Sequence, residues 1–211
     1  GSDTVDSSPE ELSKSVGSVF QDIDSQMVST IVEDEILFGL ENFNVPRETI
    51  GERLEDALEK VGISKMRYRT IDSLSGGEKQ KVAICAILAM KPRILILDEP
   101  TAELDPQSSR QIFRILKELN EKEGLTVVIV EQKIMLLSEF AKRLVVMESG
   151  NIRFDDSVRE VLKHSDELYR SGVNCPRVAT LSDRLSELGL YRGQVPLNVM
   201  EAETMVRGIL K

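Results

Sequence analysis

The chain is poor in several residue types, and each shortage excludes a class of protein. It has no tryptophan and only two cysteines, Cys85 and Cys175, which lack the spacing of a disulfide framework or a metal site, so two ordinary thiols are predicted. No apolar run is long enough to span a bilayer. The net charge of −9 argues against a nucleic-acid-binding surface, which should be basic. The 211 residues, 41% of them hydrophobic, predict one domain with a real core, or one domain with a small appendage.

The most informative segment begins with a helix start. Ser75 and Glu78 stand three residues apart before an apolar stretch, which is the spacing of a capping box. Gly76 and Gly77 allow a ligand to approach the backbone closely. Because a helix N-terminus presents free N–H groups and the positive end of the helix dipole, this turn is a candidate phosphate site.

A short apolar strand with an acidic end follows this helix. Residues 94–97 read as a strand of a parallel sheet buried on both faces, and Asp98 and Glu99 come directly after it. Ligands of such sheets bind beyond the carboxyl ends of the strands. Asp98 therefore suits a Mg²⁺ shell, and Glu99 is placed to orient or deprotonate a water molecule. Asp105, with Pro106 behind it, is predicted to cap the next helix.

These elements, in this order, resemble the signature, Walker B and D-loop series of ATP-binding-cassette (ABC) ATPases. The resemblance implies that Asp98 holds Mg²⁺ and that Glu99 acts on the attacking water. It also implies that the turn from Ser75 to Glu78 contacts the γ-phosphate of an ATP held by a second domain, and that Asp105 signals between the two sites. The phrases IVEDEILFGLEN, VVIVEQK and NCPRVATLSDRLSELGL look like the ATPase subunits of energy-coupling-factor transporters, including the cobalt-type importers.

Two glutamines take further roles from the same resemblance. Gln21, at the end of a predicted strand over 16–20, resembles the Q-loop glutamine, which joins the metal and water shell and links it to the transport subunit. Gln132 stands where the family has a switch histidine. Glutamine can donate a hydrogen bond to a phosphate but cannot titrate near neutral pH, so the sequence leaves open a tolerated substitute or the weaker site of an asymmetric pair.

One expected motif is missing. A nucleotide-binding protein of this kind needs a loop G-x-x-x-x-G-K-[ST] to cradle the phosphates, and no segment of the chain matches it. The interpretation favoured here is a truncated fragment, with Gly1-Ser2 as a tag remnant. Such a fragment is expected to bind ATP weakly or not at all. It should also leave apolar side chains short of packing partners, among them those of Ile94, Ile96, Val127 and Ile129.

The order of strands and helices predicts an α/β fold with a parallel sheet like that of the P-loop NTPases. We expect an ABC ATPase domain over 3–155, with a helical subdomain at about 27–90, and a helical C-terminal extension over 156–211. In that extension, helices are predicted at about 176–188 and 198–210. Another buried strand, rich in β-branched residues, is predicted at 126–130, and Gly62 and Gly124 are predicted to end helices.

The sequence therefore predicts the ATP-hydrolysing subunit of an importer for vitamins or transition-metal ions. Its cofactors would be ATP and Mg²⁺, and its partners a second ABC ATPase domain and transmembrane subunits, at the cytoplasmic face of the membrane. No nucleic acid is expected. Two alternatives stay open: a lobe of a chromosome-maintenance or DNA-repair ATPase, some of which carry the phosphate loop on a separate lobe, and a non-catalytic regulatory module.

Overall fold

The structure is a computed structural model that describes residues 3–210, so the interpretation of Gly1-Ser2 lies outside the described residues. The chain divides into two compact units, one up to Glu131 and one from Gln132. The α-helices of the first unit are α1 Pro9–Ser13, α2 Ile23–Gln26, α3 Val32–Asn42, α4 Arg47–Val61, α5 Gly76–Ala89 and α6 Pro106–Glu123, with short 3₁₀ turns at Ser64–Met66 and Ile71–Ser73.

Three parallel strands form the sheet of the first unit. They are β1 Val16–Val19, β2 Ile94–Asp98 and β3 Thr126–Val130, in the order β1-β2-β3. The register aligns Val19 with Leu97, and Asp98 with Val130, so the three strands end at one edge. The predicted α/β class with a parallel sheet is confirmed, and the central strand is the one that ends in the acidic pair.

The two faces of this sheet differ in burial. Leu95 and Leu97 of β2 are fully buried, and Val127 and Ile129 of β3 pack against the same core. On the opposite face Val128 and Val130 are 46% and 54% exposed. The prediction of a buried strand at 126–130 is therefore wrong for Val128 and Val130, while Val127 and Ile129, expected to be short of packing partners, are partly buried against the core. Because side chains alternate along a strand, the residues left open are their immediate neighbours.

Helices α3, α4 and α5 form the core with the buried face of the sheet. Ile36, Leu54, Leu58 and Ile84 are fully or almost fully buried in this core. The packing against β1 is close, since a Cβ placed on Gly17 would stand 2.2 Å from Cγ2 of Ile87. This fit sets the position of α5, and therefore also the position of its first turn, from Ser75 to Glu78.

Local signals set the ends of the long helices as predicted. Ser75 caps α5 through a complete capping box, and Asp105 caps α6 with proline in its first turn. Gly62 ends α4 and Gly124 ends α6, both in the left-handed conformation that glycine adopts at low cost.

The second unit contains the remaining strands and helices. β4 Arg143–Glu148 and β5 Asn151–Ser157 pair as an antiparallel hairpin. The division into an ATPase domain over 3–155 and a C-terminal extension stays a prediction, while the compact units separate earlier along the chain. Within 3–210, no helix combines the length and the apolar character needed to cross a membrane. The helices of this unit are α7 Ile134–Phe140, α8 Val158–Leu162, α9 Ser165–Arg170, α10 Arg177–Glu187 and α11 Val199–Ile209.

Candidate functional site

The candidate site begins where the central strand ends. Asp98 is the last residue of β2, and its side chain is exposed. Glu99 follows in a left-handed conformation with φ of +43°, which costs a residue with a Cβ about 1–3 kcal/mol unless its surroundings hold it. The N–H of Glu99 donates to the carbonyl of Val130 at 2.8 Å, which ties this strained residue to the end of β3. The strain turns the chain out of the strand at its acidic end.

Gln21 reaches the same point from the neighbouring strand. Its Nε2 donates to Oε2 of Glu99 at 3.2 Å, although the two residues are 78 positions apart. The loop after β1 is held by Gln26, whose Oε1 accepts from the N–H of Phe20 at 3.0 Å. The structure therefore brings together the amide and the carboxylate that the sequence had marked separately.

The turn after Glu99 contains a contact that the sequence had not indicated. Thr101 is completely buried, and its hydroxyl donates to Oε2 of Glu131 at 2.6 Å. Glu131 directly follows β3, one residue beyond the Val130 carbonyl that accepts from Glu99. The available signal was a carboxylate at the end of a strand adjacent to β2, which is a position where parallel sheets place functional groups.

The N-terminal turn of α5 is formed as a capping box. The N–H of Ser75 donates to Oε2 of Glu78 at 2.8 Å, and the N–H of Glu78 donates to the Ser75 hydroxyl at 3.4 Å. Hydrogen bonding from the Ser75 backbone, and then from its hydroxyl, lowers the pKa of Glu78. Glu78 is therefore held as a carboxylate that completes the cap, whereas Gly76 and Gly77 begin the helix without side chains over the backbone.

The starts of α5 and α6 lie against each other. A Cβ placed on Gly77 would stand 3.0 Å from Oγ of Ser108, so this position is crowded, whereas one on Gly76 would meet only a Leu104 methyl group at 3.6 Å. Asp105 caps α6 by accepting from the N–H groups of Gln107 and Ser108 at 2.8 and 3.0 Å. Hydrogen bonding from the Ser108 hydroxyl lowers the pKa of Asp105. Its carboxylate is thus engaged within its own turn.

A small cleft of about 60 Å³ lies between the loop after β1, the start of α5 and the turn after β2, with Gln21, Gly76 and Glu99 in its lining. Gln80 also lines it; its side chain is buried, and its Nε2 has no hydrogen-bond partner within the described part of the chain. Lys79 donates to Asp24 at 2.6 Å, which joins α2, just after β1, to α5. Polar groups from three separate segments therefore converge on one edge of the sheet.

Gln132 belongs to the second compact unit. It is exposed, and its carbonyl accepts from the N–H of Ile134 at 2.9 Å, at the entry to α7. Its role opposite a phosphate stays a prediction.

The chemistry of this edge suits a metal-bound phosphate. Mg²⁺ takes oxygen ligands, keeps several waters, and is commonly held by one or two carboxylates together with substrate phosphates. The exposed carboxylate of Asp98 and the side-chain amide of Gln21 fit that donor set, and the start of α5 offers N–H groups to an anion. The residues present therefore fit Mg²⁺ and a phosphate, although the loop that cradles a nucleotide is not among them.

Comparison with known proteins identifies the fold. The family model described as ABC transporter matches residues 1–102. The structure of cbiO1 from Clostridium perfringens, described as part of the ABC transporter complex cbiONQ, superposes with a TM-score of 0.70 at 33% identity, covering 81% of this chain and 68% of that chain. The dimeric ATP-binding cassette MJ0796, bound to ADP and Pi, gives a TM-score of 0.61 at 28% identity, covering 73% and 69%. The fold and these likenesses define an ABC-type ATPase domain.

Curated relatives show which type of ABC ATPase the chain resembles. The chain is 37% identical over 201 residues to the energy-coupling factor transporter ATP-binding protein EcfA1 of Caldanaerobacter subterraneus, covering 95% of this chain and 71% of that protein. It is 42% identical over 200 residues to EcfA of Methanothermobacter thermautotrophicus, covering 93% and 64%. The chain belongs to the family of ABC transporter ATP-binding proteins, and among them it is most like the energy-coupling-factor type. It spans 32% of the length of a Methanosarcina mazei relative that is 42% identical.

Proposed function

We propose that this chain is the catalytic part of an ATP-hydrolysing subunit that drives an importer of the energy-coupling-factor type. The observation that carries the proposal is the contact of Gln21 with Glu99, beside the exposed carboxylate of Asp98, at the edge of the sheet where the start of α5 also lies. Uptake of a vitamin or a transition-metal ion is the finer part of the proposal. It is supported by the names of the relatives and by the phrases in the sequence.

Each side chain of the site has its own proposed role. Asp98, with Gln21, would hold Mg²⁺. Bound ATP would supply the phosphate that water attacks, and Mg²⁺ would supply positive charge next to the oxygens of that phosphate. Glu99 accepts a proton from the attacking water, as a general base in hydrogen-bond reach of that water would. The amide of Gln21 fixes the orientation of the Glu99 carboxylate.

The start of α5 serves a different nucleotide. In the proposed dimer, Ser75, Gly76 and Gly77 contact the γ-phosphate of ATP held by a second ABC ATPase domain. Glu78 completes the cap that keeps those N–H groups in place. Asp105, which caps the helix that packs against this start, would carry a signal between the two sites, as the resemblance to ABC ATPases implies.

The phosphate cradle is not supplied by these residues, since no segment of the chain matches G-x-x-x-x-G-K-[ST]. Hydrolysis is therefore proposed for the intact protein, and the chain alone is proposed to bind Mg-ATP weakly. Gln132, in the place of the switch histidine, would donate to a phosphate without changing its charge. Such a residue suits the weaker site of an asymmetric pair, or a site that tolerates the substitution.

The proposed partners come from the family resemblance. The exposed Phe38 of α3 lies within the expected helical subdomain at about 27–90, and the resemblance implies that this subdomain receives a coupling helix from the transmembrane subunits. We propose that the protein binds there to the membrane subunits at the cytoplasmic face. The net charge of −9 gives no support to nucleic acid as a partner.

Asp98→Asn in the intact protein, assembled with its membrane subunits in vesicles, tests the proposal. The parent should hydrolyse Mg-ATP and drive uptake, and the variant should lose about 100-fold or more of both, because an amide does not replace a carboxylate at the metal. Lys122→Ala, on the exposed face of α6, is the control and should match the parent. A parent without ATP turnover would favour the regulatory alternative, and tight, salt-dependent DNA binding would favour the DNA-repair alternative.

A further inference from the structure

The proposed base needs support from outside its own segment. Glu99 has φ of +43°, a conformation that a residue with a Cβ adopts at a cost, and its side chain is half-buried. Whatever holds this backbone in place also sets the direction of the carboxylate. The contacts of the residues on either side of Glu99 therefore bear on catalysis.

Two ties join this turn to consecutive residues at the end of β3. The N–H of Glu99 donates to the Val130 carbonyl at 2.8 Å, and the hydroxyl of Thr101 donates to the Glu131 carboxylate at 2.6 Å. The first tie is a backbone bond that any residue at position 99 with an N–H could make. The second depends on the identity of both side chains, so it is specific to this sequence.

The second tie lies at the short end of the range for a hydroxyl donor. Thr101 is completely buried, so solvent does not make up for a hydrogen bond lost from its hydroxyl. The bond therefore anchors the turn two residues beyond the strained Glu99.

We propose that Thr101 and Glu131 form a clamp that positions Glu99 for its action on water. Thr101 and Glu131 are positioning residues, since they act through Glu99 and need no contact with the nucleotide. The inference rests on the proposed function. It adds a role for Glu131, the residue between β3 and Gln132: its side chain helps to hold Glu99, which follows the adjacent strand β2.

Steady-state and binding measurements on the intact protein, assembled with its membrane subunits, test the clamp. Thr101→Val keeps the shape of the side chain and loses the hydroxyl. It should lower kcat about tenfold or more with ATP affinity unchanged within about twofold, because a misplaced base slows chemistry without weakening binding. Thr101→Ser restores the hydroxyl and should return kcat to within about threefold of the parent.

A double-mutant cycle separates the clamp from general destabilisation. Glu131→Ala should also lower kcat, and the double variant should lose clearly less than the sum of the two single losses, because both changes remove the same hydrogen bond. Ser182→Ala removes another buried hydroxyl, on α10 in the second unit, and should leave kcat unchanged whatever its effect on stability. If Thr101→Val does not fold, Thr101→Ser and Glu131→Ala carry the comparison.

The outcomes distinguish the clamp from the function on which it rests. A kcat for Thr101→Val and Glu131→Ala within about twofold of the parent overturns the clamp, as do fully additive losses in the double variant. Glu99→Gln is measured beside them. If Glu99→Gln also keeps the parental rate, the proposed function fails; if it abolishes turnover while the clamp variants do not, only the clamp fails.

Discussion

Strands β2 and β3 are neighbours of similar sequence, yet they take different places in the molecule. The central strand β2 has fully buried leucines and ends in Asp98 and the strained Glu99. In the described sheet β3 lies at the edge, with Val128 and Val130 exposed, and ends in Glu131. Composition alone would not show which of the two apolar runs forms the central strand. Their central and edge positions come from pairing with strands far away in the sequence.

The central and the edge strand therefore have different roles in the site. A central strand is fixed from both sides, so it can present a strained reactive residue at its end. An edge strand is held less firmly, but its last residues can brace the turn beside it. In this protein Val130 and Glu131 receive hydrogen bonds from Glu99 and Thr101. The site therefore depends on both strands, one for the reactive groups and one for their support.

The largest expected contrast lies within the strands themselves. Leu97→Ala should lower the free energy of unfolding by about 2–5 kcal/mol, because it leaves a cavity in a fully buried part of the core. Val128→Ala, on the open face of β3, should change it by about 0.5 kcal/mol or less. Denaturant unfolding of the two variants and the parent measures both values. Equal losses would contradict the contrast between the buried face of β2 and the open face of β3.

A smaller effect tests the contact between the start of α5 and the start of α6, the helix that follows β2. Gly77→Ala should destabilise the protein by about 1–3 kcal/mol, because the new methyl group would stand 3.0 Å from Oγ of Ser108. The loss should shrink when Gly77→Ala is combined with Ser108→Gly, which removes the clashing side chain. Gly76→Ala is the matched control for stability, since its nearest contact is 3.6 Å away. Thermal unfolding of these variants, with Ser108→Gly alone as the reference for the pair, checks this; an undiminished loss in the combined variant would show that crowding is not the cause.

Features set by nearby residues were predictable from the sequence. The capping box of Ser75 with Glu78, the cap at Asp105 and the glycine stop at Gly124 depend on residues within a few positions, and the structure has all three. The acidic end of a buried strand likewise marked Asp98 and Glu99. These signals are local because backbone hydrogen bonding and conformational preference are satisfied within one turn.

Features set by distant partners could not be predicted from the sequence. Nothing near Thr101 indicates that its hydroxyl meets Glu131, 30 positions away, or that Lys79 pairs with Asp24. The exposure of Val128 was missed for the same reason, since β-branched residues favour strands whether or not both faces are covered. Burial on a sheet depends on which elements pack against it, and that is decided by the whole fold.

The rate of ATP hydrolysis by the intact protein with Glu99→Gln tests the central claim most directly. Glutamine keeps the shape of the side chain and can still contact Gln21, but it cannot accept a proton from water. The variant should bind Mg-ATP like the parent and turn it over about 100-fold or more slowly, within the range that a general base contributes. Turnover close to the parental rate would contradict the assignment of Glu99, and with it the account of this edge of the sheet as a hydrolytic site.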